Sequence, residues 1–99
     1  MAYYNRGVQK ILCEELNDAI ADFNQAIRIK PNYVEAYVNR GQTKAVLGRT
    51  DEARVDFQKA LELAEQQENI DAKTYVKEKL QQLSQAASKQ SNKKSRRDG

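Results

Sequence analysis

The sequence has no histidine and no tryptophan, and only one cysteine among its 99 residues. The absence of histidine removes the side chain that most often acts as a general base or binds a metal ion. The single cysteine, Cys13, excludes a disulfide within the chain and a CxxC zinc site, and we expect it to fill a small core position. The four glycines are scattered rather than gathered in a phosphate-binding loop. We therefore expect a protein of a reducing compartment, the cytoplasm, that is not an enzyme and holds no cofactor or metal.

Long apolar runs are also missing, and no segment approaches the roughly 20 residues of a membrane span. The first ten residues, MAYYNRGVQK, lack the apolar core of a signal peptide. The net charge of +3 is uneven, because residues 89–99 hold five basic residues and one acidic residue, whereas the other 88 residues carry 12 basic and 13 acidic groups. The main part of the chain is close to neutral, so nucleic-acid binding is not expected of it. Binding of nucleic acid or an anionic membrane by the basic tail stays an alternative.

What the sequence does contain is an internal repeat with a period of 34 residues. AYYNRG at 2–7 aligns with AYVNRG at 36–41, and AIADFNQAIRI at 19–29 aligns with ARVDFQKALEL at 53–63. Ten identities share this one offset without a gap. Within each copy, matched residues recur three and four positions apart, which predicts two helices per copy. No segment alternates with period two over a useful length, so we expect an all-α protein.

Each copy has a glycine inside its first predicted helix rather than in a turn. Glycine costs about 1 kcal/mol relative to alanine in a helix, so close packing against another helix is expected to compensate for it. We expect each glycine to face an alanine of the second helix, with a phenylalanine filling the space between one copy and the next. These sets are Gly7, Ala19 and Phe23 in the first copy and Gly41, Ala53 and Phe57 in the second.

A few residues mark the expected helix ends. Asn17 and Thr50 are expected to cap the second helices, and Asn69 a further helix, because their side-chain oxygens accept bonds from free backbone amides. Gly48 supplies the positive φ that ends the helix before it. Pro31 stops the second helix of the first copy.

The period and its residues resemble the tetratricopeptide repeat family. The segments YNRG and AIADFNQAI are similar in sequence to its bacterial, especially cyanobacterial, members. The resemblance covers residues 1–67 and implies two helix-turn-helix repeats stacked as a short right-handed solenoid. Glu14 replaces the usual turn glycine, and Glu65 replaces the usual proline, so the last repeat helix is expected to continue to about Gln67. The motif residues are Tyr3, Gly7, Ala19, Phe23, Ala26 and Pro31 in the first repeat and Tyr37, Gly41, Ala53, Phe57 and Ala60 in the second.

The sequence is thereby divided into four segments. Residues 1–33 form the first repeat and residues 34–67 the second. Residues 69–88 carry a single apolar stripe that includes Val76, and we expect a C-terminal capping helix that closes the stack. The alternative is the first helix of a degenerate third repeat. Residues 89–99 have no apolar side chain and are expected to be disordered.

The resemblance implies binding of another protein rather than catalysis, in a concave groove lined by the first helix of each repeat. A peptide or a helix segment of the partner is expected to lie there, with Asn5 and Asn39 bonding its backbone. In the alternative, the same apolar surface joins copies of this chain into a homo-oligomer. The groove positions carried over from the family are Tyr4, Asn5, Val8, Ile11 and Leu12 in the first repeat and Glu35, Val38, Asn39, Gln42, Ala45 and Val46 in the second.

One binding mode of the family, the carboxylate clamp for acidic C-termini of heat-shock chaperones, is not expected here. The asparagine shared by clamp repeats is present as Asn5 and Asn39. Other clamp positions, which need lysine or asparagine, carry Tyr4, Val8 and Glu35 instead. The sequence therefore predicts a groove without a clamp.

Arginine and aspartate also recur with the repeat, as Arg6 and Arg40 and as Asp22 and Asp56. A guanidinium between packed helices needs a partner. We expect Arg40 to pair with Asp22 across the boundary between repeats or with Asp56 within its own repeat. Binding of a ligand by the arginines is the alternative.

Overall fold

The structure is a computed structural model that describes the backbone of residues 2–98 and the side chains of residues 2–84. The described chain contains five helices and no strand, so the all-α fold predicted from the sequence is confirmed. The helices are α1 (Ala2–Leu12), α2 (Leu16–Ile29), α3 (Val34–Val46), α4 (Thr50–Gln66) and α5 (Ile70–Asp98).

Two helical hairpins and a fifth helix make up the molecule. Helix α1 packs against α2 and α3 packs against α4, while α2 contacts α3 and α4 contacts α5. The core between the second hairpin and α5 contains Phe57 and Val34 together with Val76 of α5, which has no exposed surface. Leu80 and Leu83 pack against the same cluster. The apolar stripe of α5 thus covers the second hairpin.

Each phenylalanine lies against the glycine of its own hairpin. A Cβ added to Gly7 would lie 2.7 Å from Cε1 of Phe23, and one added to Gly41 would lie 3.1 Å from Cε1 of Phe57. The nearest neighbour of each glycine is therefore the ring, not the alanine that the sequence led us to expect. The ring reaches the glycine because long helical side chains lean toward the N-terminus of their own helix. The missing side chain makes room for an aromatic ring.

Arginine–aspartate pairs tie the two helices of each hairpin together. Arg6 donates to Asp22 at 2.7 and 3.1 Å, and Arg40 donates to Asp56 at 2.7 and 2.9 Å. The pairing within each repeat is confirmed, and the pairing of Arg40 with Asp22 across the boundary is wrong. Arg40 does cross the boundary with another bond, in which its Nη1 atom donates to the side-chain oxygen of Asn24 at 2.8 Å.

The three turns that follow α1, α3 and α4 share one geometry. Gly48 has φ +85°, as predicted, while the corresponding Glu14 has φ 62° and Glu68 has φ 55°. After the second of these turns, the backbone amide of Arg49 donates to the carbonyl of Lys44 at 2.8 Å, closing the end of α3. The left-handed conformation is unfavourable for glutamate. In the two glutamate turns the same closing hydrogen bond is made, from the amide of Glu15 to the carbonyl of Lys10 and from the amide of Asn69 to the carbonyl of Ala64, each at 2.8 Å.

Helix capping follows the prediction at one site and departs from it at two. The side-chain oxygen of Asn69 accepts a first-turn backbone amide of α5 at 3.1 Å, as expected. Asn17 and Thr50 were expected to cap α2 and α4, but they lie inside those helices. The residues before each helix are Glu15 and Arg49, and neither makes a side-chain cap bond. One residue separates the positive-φ residue from each helix, so the cap position falls on Glu15 and Arg49, and Asn17 and Thr50 come too late in the sequence to occupy it.

The C-terminal ends of α2 and α4 differ from each other, as the sequence predicted. Helix α2 ends at Ile29, two residues before Pro31, whereas α4, with Glu65 in place of a proline, continues to Gln66. The predicted end of the last helix at residue 88 differs from the structure, in which α5 continues to Asp98 because neither proline nor glycine interrupts it. The side chains of residues 85–99 lie outside the described part of the chain, so the disorder of residues 89–99 stays a prediction.

Cys13 is exposed, and its expected place in the core is wrong. Helix α1 ends at Leu12, so Cys13 belongs to the turn that follows it. Its counterpart in the second copy, Leu47, is also partly exposed and lies just after α3. These turn positions lie beyond the packed faces of the hairpins.

Candidate functional site

Helices α1, α3 and α5 line one side of the molecule and leave a groove between them. Asn39 of α3 donates to the hydroxyl of Tyr4 of α1 at 2.7 Å, and Gln42 of α3 contacts the hydroxyl of Tyr75 of α5. These two contacts fix the side chains on the floor of the groove. On either side of the Gln42–Tyr75 contact lies a pocket.

The first pocket, which we call the tyrosine pocket, has a volume of about 420 Å³. Four predicted groove residues line it, and these are Tyr4, Glu35, Val38 and Asn39. The start of α5 and the residue before it supply the opposite wall, with Asn69, Asp71, Ala72 and Tyr75. Two aromatic rings and two carboxylates therefore share one pocket with apolar side chains between them.

The second pocket, which we call the apolar pocket, has a volume of about 400 Å³. The predicted residues Ile11, Gln42, Ala45 and Val46 line it from α1 and α3. Leu16, Phe57 and Leu83 add apolar surface from three other helices, and Lys79 contributes one positive charge. The exposed surface of this pocket is mostly carbon, so a partner side chain that enters it gains by leaving water.

Three of the predicted groove residues line neither pocket. Asn5 is exposed and Val8 is half-buried on α1. Leu12 is 73% exposed at the end of α1. Their place in a binding surface stays a prediction, while the other eight predicted residues lie in the two pockets.

The basic side chains of α1 and α3 interact with acids of the neighbouring helices. Asp22 is buried, and the hydrogen bond from Arg6 lowers the pKa of its carboxyl below the ordinary value. In the second repeat the Nζ atom of Lys44 lies 3.3 Å from the Asp56 carboxylate, which also binds Arg40. In these ion pairs the cations join neighbouring helices, which favours a structural role for Arg6, Arg40 and Lys44 over binding of a ligand.

The electrostatic environment of the tyrosine pocket is shaped by burial and by Glu35. Burial raises the pKa of the Tyr4 hydroxyl; the hydrogen bond from Asn39 opposes this rise, and the Glu35 carboxylate adds to it. Burial also raises the pKa of Tyr33, whose ring centroid lies 5.0 Å from that of Tyr4. Both hydroxyls are thus neutral at physiological pH and act as hydrogen-bonding groups.

Within the part of the chain that the structure describes, no three acidic or cysteine side chains come close enough together to hold a metal ion. No helix of that part combines the length and the apolar character needed to cross a membrane.

Comparison with protein families identifies the repeat. A model described as TPR repeat matches residues 11–48, and a model described as tetratricopeptide repeat matches residues 34–67. The chain belongs to the tetratricopeptide repeat family. No curated protein matches the chain by sequence.

Solved tetratricopeptide structures share the fold. A tetratricopeptide repeat domain protein from Salinibacter ruber is 20% identical, and its crystal structure gives a TM-score of 0.76, covering 82% of this chain and 90% of that chain. Its solution NMR structure gives the same TM-score and covers 81% of each chain. The first TPR of Spaghetti (RPAP3), bound to the HSP90 peptide SRMEEVD, is 28% identical with a TM-score of 0.72, and covers 87% of this chain and 64% of that chain.

Sequence reasoning missed the part of the groove that α5 supplies. Asp71, Tyr75 and Lys79 lie outside the two tetratricopeptide repeats, so the 34-residue period gives no position for them. The spacing of these three residues could have indicated that they share one face of a helix. They recur four residues apart along α5, and Tyr75 precedes the buried Val76 by one position.

Proposed function

We propose that the groove between α1, α3 and α5 binds a segment of another polypeptide. The observation that carries this proposal is the pair of pockets, about 420 and 400 Å³, placed one after the other along α3. An extended peptide or an amphipathic helix presents side chains at regular intervals, and two of them can enter the two pockets at once. Burial of apolar side chains supplies the affinity, and the pocket spacing supplies the specificity.

Polar groups of the groove support binding of a peptide backbone. Asn39 lines the tyrosine pocket, and its amide uses one hydrogen to bind Tyr4, which leaves a second hydrogen and the side-chain oxygen as hydrogen-bonding groups for a peptide backbone. Asn5 is exposed on α1. Side-chain amides of this kind bind a backbone without selecting the side chains of the ligand.

The family relationship adds a second line of support. The related first TPR of Spaghetti holds a peptide of HSP90 whose sequence, SRMEEVD, ends in acidic residues. In the present chain Glu35 takes a position where the family's carboxylate clamp is expected to carry a lysine. We therefore propose the same kind of ligand, a polypeptide segment, with a different sequence.

The test is a selection from a random 12-residue peptide display library, followed by affinity measurements on single variants. Val46→Glu places a carboxylate in the apolar pocket, at a side chain that is 73% exposed and whose replacement leaves the core intact. Val55→Glu is the matched control, at a position on α4 that is 63% exposed and lines neither pocket. Selected peptides are expected to bind the wild type and Val55→Glu equally, and Val46→Glu roughly tenfold more weakly. Equal binding to all three proteins contradicts the proposal.

A second candidate function, self-association, is favoured by the exposed apolar ends of α1 and α3. Leu12 and Val46 are each 73% exposed, and they occupy equivalent positions in the two repeats. Large exposed apolar side chains at one end of a groove are typical of an interaction surface. Light scattering separates the two functions. A dimer mass for the wild type and Val55→Glu, with a monomer mass for Val46→Glu, assigns the groove to a second copy of the chain.

A further inference from the structure

We propose that the tyrosine pocket selects a basic side chain, lysine or arginine, of the bound segment, while the apolar pocket takes an apolar side chain. This inference rests on the proposed function and names the chemistry of the partner. Glu35 and Asp71 lie on opposite walls of the tyrosine pocket, on α3 and α5, with the rings of Tyr4 and Tyr75 beside them. Two carboxylates and two aromatic rings form an environment that attracts a cation.

The two carboxylates have no basic partner among the described side chains. The ion pairs of the described residues involve other acids, and none joins a lysine or arginine to Glu35 or Asp71 within 4 Å. Lys79 lines the apolar pocket and lies over the Tyr75 ring at 5.1 Å from its centroid. Lys30 lies over the Tyr33 ring at 4.8 Å from its centroid, and neither lysine lines the tyrosine pocket. A cation from a partner is the charge that this pocket lacks.

The charge of the pocket stays negative after the helix dipoles are considered. Glu35 and Asp71 occupy the first turns of α3 and α5, where each helix N-terminus carries about +0.5 elementary charge. The two carboxylates therefore leave about one net negative charge at the pocket. The contribution of Glu35 to the raised pKa of Tyr4 is consistent with this negative field.

Arginine and lysine side chains of α1 and α3 do not cancel this field where they pair with acids of the second helices. Arg40 and Lys44 of α3 both bind Asp56 of α4, and Arg6 of α1 binds Asp22 of α2. A segment with an acidic end would place its carboxylates against those of the tyrosine pocket. The groove is therefore built for a charge opposite to that of the HSP90 peptide held by the related structure.

The experiment uses the full chain and the peptides selected on it. Wild-type protein is expected to enrich lysine and arginine at one position of the peptides. Replacing that arginine with citrulline, a neutral isostere, is expected to weaken binding about tenfold, since an exposed ion pair and a cation–π contact each contribute several-fold. For the double variant Glu35→Gln, Asp71→Asn, the arginine and citrulline peptides are expected to bind equally.

The control removes two first-turn acids from the other helices, as Asp18→Asn with Asp51→Asn, which gives the same change in net charge. Here the tenfold preference for arginine is expected to remain. A preference lost equally in both double variants, or selected peptides without a basic residue, would overturn the inference.

The remaining outcomes separate the pocket assignment from the function itself. Peptides that lose affinity for Val46→Glu but show no preference for arginine leave the proposed function standing and overturn only the charge assignment. The absence of any groove-dependent peptide overturns both. A wild-type mass that rises with concentration in light scattering, but not in the Glu35→Gln, Asp71→Asn variant, means that a basic residue of a second copy occupies the pocket, and it overturns the assignment to a partner.

Discussion

Replacing Arg40 with alanine is expected to destabilise the fold more than the removal of an exposed charge in the repeats. Asp56, its partner, has a side chain only 4% exposed, and Arg40 itself is 18% exposed. Removal of one partner of a buried ion pair costs about 3–5 kcal/mol, because it leaves an uncompensated charge in the interior. Lys44 stays 3.3 Å from Asp56 and compensates in part, so we expect a loss of about 2–3 kcal/mol.

The assay is urea denaturation followed by circular dichroism, in which the midpoint of Arg40→Ala is expected to fall by about 1–2 M with an unchanged slope. The control is Arg54→Ala, on α4, whose partner Asp51 has a side chain 99% exposed. An exposed pair contributes less than about 1 kcal/mol, so this variant is expected to unfold near the wild-type midpoint. Equal midpoints for the two variants would refute the structural role of Arg40 and would favour the alternative, in which Arg40 binds a ligand.

Three further predictions follow from the helix packing and the ion pairs. Gly7→Ala is expected to cost about 1 kcal/mol in urea denaturation, because the clash with Phe23 outweighs the gain in helix propensity; a gain in stability would contradict the packing. Glu14→Gly is expected to stabilise the fold by about 1 kcal/mol, because its φ is 62°; a loss of stability would mean that the glutamate side chain contributes to the turn. Arg6 lowers the pKa of Asp22 from 3.8, so its share of stability is present above pH 3.8 and is lost as the pH falls through the lower, folded-state pKa. Asp22→Asn is expected to flatten the dependence of the urea midpoint on pH below pH 4, and an unchanged slope would contradict this assignment.

The parts of the fold that follow from local chemistry could be predicted from the sequence. The positive φ of Gly48, the end of α2 before Pro31 and the cap at Asn69 all depend on the conformational or hydrogen-bonding preference of one residue. The pairing of Arg40 with Asp56 could be reduced to two choices, because both residues recur with the period of 34. Because residues recur with the period of 34, preferences of single residues in one repeat also indicate the structure of the other repeat.

The parts that depend on where helices begin could not be predicted. The helices α2 and α4 start two residues after the left-handed turn residue, so the cap positions are Glu15 and Arg49, and Asn17 and Thr50 fall inside the helices. Cys13 shares its repeat position with Leu47, but the turn exposes it, and the apolar character of the position does not reveal this. A shift of one or two residues at a helix start changes which side chains meet solvent.

The candidate site was predicted in the half that belongs to the repeats. Tyr4, Val38 and Val46 were assigned to the groove from the matching positions of the family, and all three line the two pockets. Their contact with a ligand stays a prediction. The wall supplied by Asp71 and Tyr75 could not be placed, since α5 follows an extra turn and lies outside the period. The packing of Val76, Leu80 and Leu83 against the core sets the rotation of α5, and that packing is a tertiary property.

The central claim, that the groove holds a polypeptide segment, is tested most directly by NMR. Amide ¹H–¹⁵N shifts of the full chain are recorded while a selected peptide is added. We expect the largest changes on α1, α3 and the first half of α5, around Asn39, Gln42 and Tyr75, and little change around Val55 on the opposite side of the second hairpin. Shifts centred on α2 and α4, with the groove amides unmoved, would contradict the account.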